Sequence, residues 1–579
     1  MKRNRLLTLL VALAFSGTAA GDEAAVSVFE SAATPIPEEP IDRLVAANLA
    51  RLGIQPVLCS DAVFVRRVHL DVIGTLPSAA AAREFIRDPD LANKRRKLID
   101  RLLARDEFAD FWAMRWGDVL RIKAEFPVNL WPNAAQAYHR WVRASLAANK
   151  PYDQFARELL TASGSNFRVG QVNFYRAIQN RKPDGIAAAV ALTFMGTRTE
   201  SWPVERLDGM AAFFSQLGYK PTNEWKEEQV FWDPLGTSTT AGNTAPGRAA
   251  IAPSAATPAA TPAVTPAAVP EPAPERPRCA SFPDGRKIEL PPNCDPRELF
   301  AEWLLAPDNP WFARNIANRV WAWLLGRGII HEPDDLRPDN PPGNPALLAY
   351  LEGELVAGRY DLQHLYRLIL NSQTYQFSAM PRLLTPEAAA NFASYPLRRL
   401  DAEVLIDAIN SITGAADLYT SAIPEPFTYI PQDQAAITLP DGSITSPFLA
   451  LFGRSARATG MVSERDNKAL PAQWLHLLNS SHIQRKLEQS AKLKALLEPS
   501  RPPAMIIEDL YLTILSRFPT PEEVQTIATY GKVQPAKPTA ANSDKPATPP
   551  APSIVVKRRE DWLDLAWALL NSSEFLYLH

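Results

Sequence analysis

The side chains best suited to chemistry lie in an acidic loop that follows a tryptophan-rich helix. His331 supplies an imidazole, and Asp334 and Asp335 supply carboxylates of the kind that a hard divalent cation prefers. No spacing in this loop matches a recognised ligand signature, so we predict that the acids accept backbone amides and pair with nearby arginines. The sequence therefore predicts neither a metal site nor a cofactor. The full candidate polar cluster is Arg319, Arg327, His331, Asp334, Asp335, Glu464 and Arg465.

Motifs of well-known enzyme classes are absent from the sequence. The chain has no Gly-x-Ser-x-Gly elbow, no phosphate-binding glycine loop and no dinucleotide-binding fingerprint. His139, His476 and His482 lie in helical stretches without the His-Glu-x-x-His spacing that binds zinc. We predict that these histidines belong to the core or to interfaces, and the sequence identifies no catalytic residue.

The N-terminus has the pattern of a secretory signal. Lys2, Arg3 and Arg5 precede an apolar run at residues 6–15, and small residues follow as far as Ala20. A short membrane anchor is the alternative, but this run is below the roughly 18 residues that span a bilayer. We predict a signal peptide at residues 1–20 and an exported mature protein, periplasmic or at the cell surface, without a transmembrane segment.

Composition limits the class of partner. The 579 residues carry a formal net charge of -2, and the arginines are spread among acids, so nucleic-acid binding is not expected. Hydrophobic residues make up 46% of the chain, which is enough for buried cores. Cys279 and Cys294 could close a loop disulfide after export. Cys59 is then left over and is predicted to be a small buried hydrophobe.

Two low-complexity segments divide the chain. Residues 236–279 are rich in Ala, Thr and Pro, and residues 534–552 are similarly biased, so neither holds enough apolar bulk to offset chain entropy. We predict that the first is a linker and that the second is a disordered insertion. The predicted domains are then residues 40–235 and 280–579.

The hydrophobic periodicity is that of helices. Ile41, Val45 and Leu49 form one apolar stripe, and Thr520, followed by a proline and two glutamates, indicates a helix start. Only residues 427–430 and 436–439 have the pattern of short strands. The predicted fold class is mainly α, with two helical domains joined by a Pro/Ala/Thr-rich linker and minor irregular β insertions.

Long motifs in both halves resemble a known family. They are FVRRVHLDVIGTLPSAAAAREFI at 64–86, NRVWAWLLGRGIIHEPDDLRPDNPPGNP at 318–345, RRLDAEVLIDAI at 398–409 and WLDLAWALLNSSEFLYLH at 562–579. Together they resemble a two-part family of exported, Planctomycete-type bacterial proteins, in which a domain of unknown function 1549 precedes a domain of unknown function 1553. The resemblance implies export and this domain order, but no settled activity.

Two loops depart from the pattern of that family. Many relatives carry a Cys-x-x-Cys-His segment, suited to haem or metal, where residues 197–208 here contain neither cysteine nor histidine. Met461 and Ser463 stand where the resemblance implies further cysteines. We hypothesise that the two loops form one site in relatives, of which Glu464 and Arg465 are the remnant here.

These observations favour binding over catalysis. Helical spacing predicts that most tryptophans are core anchors, and the remainder could stack on sugar rings or fill a partner's pocket. We predict a non-catalytic binding or assembly module for a protein or glycan partner in the cell envelope. One alternative is an extracytoplasmic enzyme acting on a polysaccharide or envelope polymer, since relatives are often encoded near exported sulfatase-like proteins. Another is a redox or haem protein, which the missing cysteines disfavour.

Overall fold

The computed structural model describes residues 28–235, 277–530 and 557–579. The predicted signal peptide at 1–20, nearly all of the predicted linker at 236–279 and the predicted insertion at 534–552 lie outside these residues. We call residues 28–235 the first segment and the described residues from 277 onwards the second segment. Within the described residues, none of the helices combines the length and the apolar character that crossing a membrane requires.

Helices form most of both segments, which confirms the mainly α prediction. The α-helices are α1 (Pro40–Arg51), α2 (Asp61–Ile73), α3 (Ala79–Arg87), α4 (Lys94–Leu103), α5 (Asp106–Val119), α6 (Pro132–Ala147), α7 (Tyr152–Thr161), α8 (Asn173–Arg176), α9 (Pro183–Val190), α10 (Val204–Ala211), α11 (Pro296–Leu304), α12 (Phe312–Leu325), α13 (Pro345–Ala357), α14 (Leu362–Asn371), α15 (Pro386–Ala390), α16 (Ala402–Thr413), α17 (Pro447–Leu451), α18 (Pro471–Asn479), α19 (Ser481–Gln489), α20 (Ala491–Leu496), α21 (Pro503–Ile514), α22 (Pro521–Thr529), α23 (Arg559–Leu570) and α24 (Ser573–Leu576).

Helix ends follow local sequence signals. Thr520 accepts a hydrogen bond from the backbone N–H of Glu523, and the Glu523 carboxylate accepts one from the backbone N–H of Thr520, which confirms the predicted start of α22. Gly326 ends the tryptophan-rich helix α12 in the left-handed conformation, with φ of 69°, a backbone state that glycine adopts without a steric penalty. These ends fix where the loops that carry polar groups begin.

In the part of the chain that the structure describes, the strands are short and form three small antiparallel sheets. The predicted strands at 427–430 and 436–439 are wrong: the first is irregular and Ala436–Thr438 is a single 3₁₀ turn, held where Asp407 accepts the N–H groups of Ala436 and Ile437. The observed sheets are β1-β3-β2, β4-β5 and β6-β7. Their strands are β1 (Gly164–Ser165), β2 (Leu217–Pro221), β3 (Glu228–Trp232), β4 (Cys279–Ser281), β5 (Lys287–Glu289), β6 (Arg398–Arg399) and β7 (Tyr577–Leu578).

The first and second segments share one hydrophobic core. The rings of Trp112 and Trp116, four residues apart on α5, both contact Trp323 on α12, with centroids 5.4 Å and 5.6 Å away. Arg66 on α2 donates hydrogen bonds to the carbonyls of Ile514 and Phe575. Because one apolar cluster runs through both segments, side chains from both sides of the predicted linker bury each other. The domain boundaries themselves stay a prediction.

Cys279 and Cys294 are both free in the structure, so the disulfide that they could close is not formed. Cys279 begins β4 and pairs in register with Glu289 on β5, so Cys294 lies five residues beyond its cross-strand neighbour. Its Sγ instead lies 3.7 Å from the carbonyl oxygen of Asp295. Cys59 is fully buried and free, which agrees with its predicted role as a small hydrophobe.

Candidate functional site

Arg319 and Asp334 form a buried ion pair inside the fold. Arg319 Nη2 donates to Asp334 Oδ1 at 2.9 Å and to the carbonyl oxygen of Leu192 at 3.3 Å. The second carboxylate oxygen of Asp334 accepts the backbone N–H of Val462 at 2.6 Å. The pair thus joins α12, the acidic loop and the loop at 461–465, and it leaves neither charge free for chemistry.

The other acidic-loop residues of the candidate cluster lie nearer the surface. Asp335 pairs with Arg337 at 3.1 Å, as predicted for a solvated loop. His331 is exposed, and desolvation, followed by the positive charge of Arg327, lowers the pKa of its imidazole. These residues hold the loop through local contacts and do not gather around a cleft.

Glu464 and Arg465 point their charges in different directions. The carboxylate of Glu464 accepts the backbone N–H groups of Ala458 and Thr459 and so closes its own loop. Arg465 instead reaches the carboxylates of Asp118 and Glu403, at 2.8 Å and 2.6 Å. The candidate polar cluster is therefore divided among an internal ion pair, a surface loop and a second buried group around Arg465.

The two loops of the shared-site hypothesis contact the same segment of chain. Arg198 Nη2 lies 3.9 Å from the Glu332 carboxylate, and the Thr197 hydroxyl donates to the Leu336 carbonyl at 3.0 Å. Val462 of the second loop donates to Asp334 of that segment. The loops at 197–208 and 461–465 therefore both contact residues 332–336. This proximity is what the shared-site hypothesis requires.

Histidines and acids do not assemble into a metal site. No group of three or more histidine, cysteine, aspartate or glutamate side chains among residues 28–235, 277–530 and 557–579 could hold a metal ion. His139 is buried, and desolvation lowers its pKa to about 3. His482 Nε2 lies 2.8 Å from Asp417 and its Nδ1 lies 3.4 Å from His476 Nε2, in a half-buried contact between α18 and α19.

The tryptophans of the described residues range from fully buried to mostly exposed. Trp112, Trp116 and Trp321 are among the largest fully buried side chains of the described chain, whereas Trp225 is 69% exposed. Burial of the first three agrees with the prediction that helical tryptophans are core anchors. Trp225 follows Pro-Thr-Asn-Glu in a polar stretch, and that setting was the only signal in the sequence for its exposure.

Further exposed rings lie on two loops that are linked to the Trp225 hairpin through Trp131 and Lys226. Phe126 is 80% exposed, Tyr429 70% and Phe427 43%. The Trp131 and Phe427 rings meet edge to face with centroids 5.2 Å apart, and Lys226 Nζ lies 5.3 Å from the Trp225 ring and 5.7 Å from the Trp131 ring. We call this set the aromatic surface; it consists of Phe126, Trp131, Trp225, Lys226, Phe427 and Tyr429.

Trp225 and Lys226 sit at the tip of the β2-β3 hairpin. The backbone N–H of Thr222 donates to the Glu227 carbonyl at 3.1 Å, and the Thr222 hydroxyl donates to the Glu227 carboxylate at 2.7 Å. Lys226 has a φ of 65°, a left-handed conformation that is uncommon for a residue with a side chain. The closed turn thus holds both residues in a defined conformation at the surface.

Trp131 is held by the loop between α5 and α6. Its backbone N–H donates to the Ala124 carbonyl at 3.1 Å, and its φ is 74°, which is a strained value for a bulky residue. Glu125 in the same loop accepts the backbone N–H of Ala422 at 3.0 Å. Because Ala422 precedes Phe427 and Tyr429 on one connection, the first and second segments are joined at the aromatic surface.

The fold is that of a mainly helical protein with two interleaved segments, and comparison with protein families assigns both. Residues 40–200 match the family described as Protein of unknown function (DUF1549), and residues 296–530 match the family described as Protein of unknown function (DUF1553). The chain therefore belongs to the two-part family in which the first of these domains precedes the second. No curated protein and no solved structure matches the chain.

Proposed function

We propose that the protein is a non-catalytic, exported binding protein whose aromatic surface takes a glycan of the cell envelope. The observation that carries this proposal is the group of exposed aromatic rings on loops from both segments. Contiguous exposed apolar groups on a folded protein are typical of a binding site. Tryptophan and tyrosine are also the side chains enriched where binding energy is concentrated.

A glycan fits the chemistry of this surface. One face of a pyranose ring presents C–H groups that pack flat against an aromatic ring, while its edge presents hydroxyl groups that need hydrogen-bond partners. The rings of Trp225 and Tyr429 offer the first, and the Lys226 ammonium beside two tryptophan rings offers the second. Ordering a loop on binding costs entropy, and the closed turns that already hold Trp131 and Trp225 reduce this cost.

The charged groups around Arg465 support binding more than acid–base catalysis. A general acid needs a carboxyl with a raised pKa near the working pH. Burial alone would raise the pKa of Asp401, but the positive charges of Arg115 and Arg465 outweigh it and lower the pKa to about 2. The Glu403 carboxyl is held at about 2 in the same way, chiefly by Arg465. Both groups remain ionised and paired at neutral pH.

Affinity electrophoresis through gels that contain neutral or acidic polysaccharides tests the proposal. We expect at least one polysaccharide to retard the purified mature protein, and Trp225→Ala and Tyr429→Ala together to weaken this binding by about tenfold or more, since each removes a stacking ring. Leu91→Ala is the matched control, because Leu91 is 73% exposed and is not part of the aromatic surface. Equal retardation of the double variant and the wild type would contradict the proposal.

A further inference from the structure

A cavity of about 230 Å³ lies where the first and second segments meet. Its walls come from α2, α5, α12, the β6-β7 sheet, the start of α16 and the loop at 461–467. Several of the motifs that resemble the family therefore converge here, including the segments at 64–86 and 398–409. The aromatic surface contributes no lining residue. We call this space the arginine cavity; its charged lining is Asp71, Arg115, Asp118, Arg398, Arg399, Asp401 and Arg465.

The lining of the arginine cavity carries four arginines against three aspartates. Each aspartate has an arginine partner at 2.5 to 2.8 Å: Arg398 pairs with Asp71, Arg115 with Asp401 and Arg465 with Asp118. Including the adjoining partners Arg454, Arg457 and Glu403 raises the count to six arginines and four carboxylates. The lining therefore has one more arginine than carboxylates, and the lining together with its adjoining partners has two more.

Arg399 is the arginine of the lining without an ion-pair partner among the described residues, and the carboxylates of Asp401 and Asp466 act on it only from a greater distance. Its guanidinium donates only to carbonyl oxygens, those of Leu400, Phe452 and Asp466, at 2.8 to 3.2 Å. No aspartate or glutamate among the described residues lies within ion-pair distance of it, and the residue is only 4% exposed. A buried and unpaired cation is costly in free energy, and an anion in the adjoining cavity would offset that cost.

Three buried guanidinium nitrogens of the lining also lack a hydrogen-bond acceptor. The Nε atoms of Arg115, Arg398 and Arg399 have no partner among the described residues. Buried polar atoms in folded proteins are nearly always satisfied, and each exception needs an explanation. Because an N–H of a guanidinium can only donate, the missing partners are acceptors. These Nε atoms have almost no accessible surface, so they act on an anion in the cavity through their charge and not through a direct hydrogen bond.

Apart from Asn467, the rest of the lining is apolar. Phe111, Val119, Trp323, Val404 and Met461 line the same cavity. A volume of about 230 Å³ corresponds to roughly eight waters at about 30 Å³ each, so the space exceeds that of a bare inorganic ion. We infer that the arginine cavity binds a small organic carboxylate, whose carboxyl group meets the arginines and whose body packs against the apolar wall.

Arginine is the side chain suited to this ligand. Its planar fork donates two parallel hydrogen bonds to a carboxylate. Ion pairs with aspartates hold the forks of Arg115, Arg398 and Arg465 in place, and backbone carbonyls hold that of Arg399. The same geometry would accept a tetrahedral sulfate or phosphate, but such an ion makes no use of the Phe111 and Trp323 rings. The apolar wall is thus the feature that separates an organic acid from an inorganic anion.

Isothermal titration calorimetry of the full chain with benzoate, glucuronate, inorganic sulfate and inorganic phosphate tests this inference. We expect at least one carboxylate to bind with a Kd below about 1 mM and both inorganic anions to bind at least about tenfold more weakly. Arg399→Gln should raise the carboxylate Kd by about tenfold or more, because it removes a charged donor. Sulfate or phosphate binding as tightly as the carboxylates, or no carboxylate binding below about 10 mM, would overturn the inference.

Three further variants keep the test decisive. If circular dichroism shows that Arg399→Gln does not fold, Met461→Trp replaces it, because a larger side chain at Met461 fills the cavity without removing a charge. Carboxylate binding that survives Met461→Trp unchanged would place the ligand elsewhere. Arg337→Met removes an arginine outside the cavity and should leave the Kd unchanged. The double variant Trp225→Ala with Tyr429→Ala should also leave carboxylate binding intact, so failure of the glycan proposal remains distinguishable.

Discussion

The arginine cavity and the aromatic surface reverse the usual distribution of side chains. Charged residues are rarely buried, and large aromatic rings are rarely left exposed in a group. In the arginine cavity Arg399 and Asp401 are buried, while at the aromatic surface Trp225 and Phe126 are mostly exposed. Both regions join the first segment to the second. The comparison teaches that departures from stable packing are found at places suited to hold a ligand.

The two regions also differ in how they are held. Around the arginine cavity each carboxylate stabilises one or two arginines, so removing one charge leaves another buried and unpaired. The aromatic surface depends on closed turns, and its rings contribute little to the core. Changes in the first region should therefore affect folding, and changes in the second should affect binding.

The largest expected effect is the difference in stability between replacing a buried tryptophan and replacing an exposed one. Trp112→Ala should lower the free energy of unfolding by about 4 kcal/mol, since it removes a buried ring that contacts Trp323 and Tyr366. Trp225→Ala should change it by less than about 0.5 kcal/mol. Urea denaturation followed by circular dichroism measures both. Similar losses in the two variants would break the distinction between core and surface.

A smaller loss of stability is expected from a substitution beside the arginine cavity. Glu403→Gln should lower the free energy of unfolding by about 3 kcal/mol at pH 7, because it leaves Arg454 and Arg465 short of a buried countercharge. Urea denaturation gives the value. Glu352→Gln, which breaks the more exposed pair with Arg314, is the matched control and should cost less than about 1 kcal/mol.

The cost of Glu403→Gln should depend on pH. The pKa of Glu403 in the fold is about 2, below its ordinary value of 4.5, so the ionised carboxylate stabilises the folded state above pH 4.5. Its contribution is lost as the pH falls towards 2, where the wild type also carries a neutral side chain at this position. The difference between wild type and variant should therefore shrink across this range. A difference that stays constant down to pH 2 would mean that the charge of Glu403 does not stabilise the fold.

The smallest effect tests strain at the aromatic surface. Lys226→Gly should raise the free energy of unfolding by up to about 1 kcal/mol, because glycine adopts the left-handed conformation without penalty. Polysaccharide binding should weaken, since the ammonium group is removed. Lys220→Gly in strand β2 is the control and should instead lower stability by about 0.5 to 1 kcal/mol, as measured by urea denaturation.

Local features of the fold were predictable because they depend on neighbouring residues. The start of α22 at Thr520 and the end of α12 at Gly326 follow from capping chemistry within one turn. The strand predicted at 436–439 failed because local pattern was outweighed by a distant contact, the capture of the 436–437 backbone by Asp407. The strand predicted at 427–430 is irregular in the structure. Loops without their own periodicity take their shape from what they pack against.

The candidate site was only partly predictable. The pairing of the acidic loop with arginines followed from composition, whereas the choice of Arg319 for Asp334 depended on how α12 packs against residues 192 and 462. The arginines Arg115 and Arg399 were not singled out, because an arginine in a helical or extended pattern gives no sign of burial. Trp225 was missed for a similar reason, since exposure is a property of the packed surface.

The sequence by itself determined the helical class, the order of the two family domains and the absence of familiar catalytic motifs. These depend on residue types and on spacings within one element. Only the tertiary structure decided that both segments share a core, which rings stay exposed, and that Arg398, Arg399, Asp118 and Arg465 meet around one cavity. Asp118 and Arg465 are far apart in the chain. Their contact forms only in the folded protein, where burial of the surrounding apolar surface supplies the free energy that brings the two segments together.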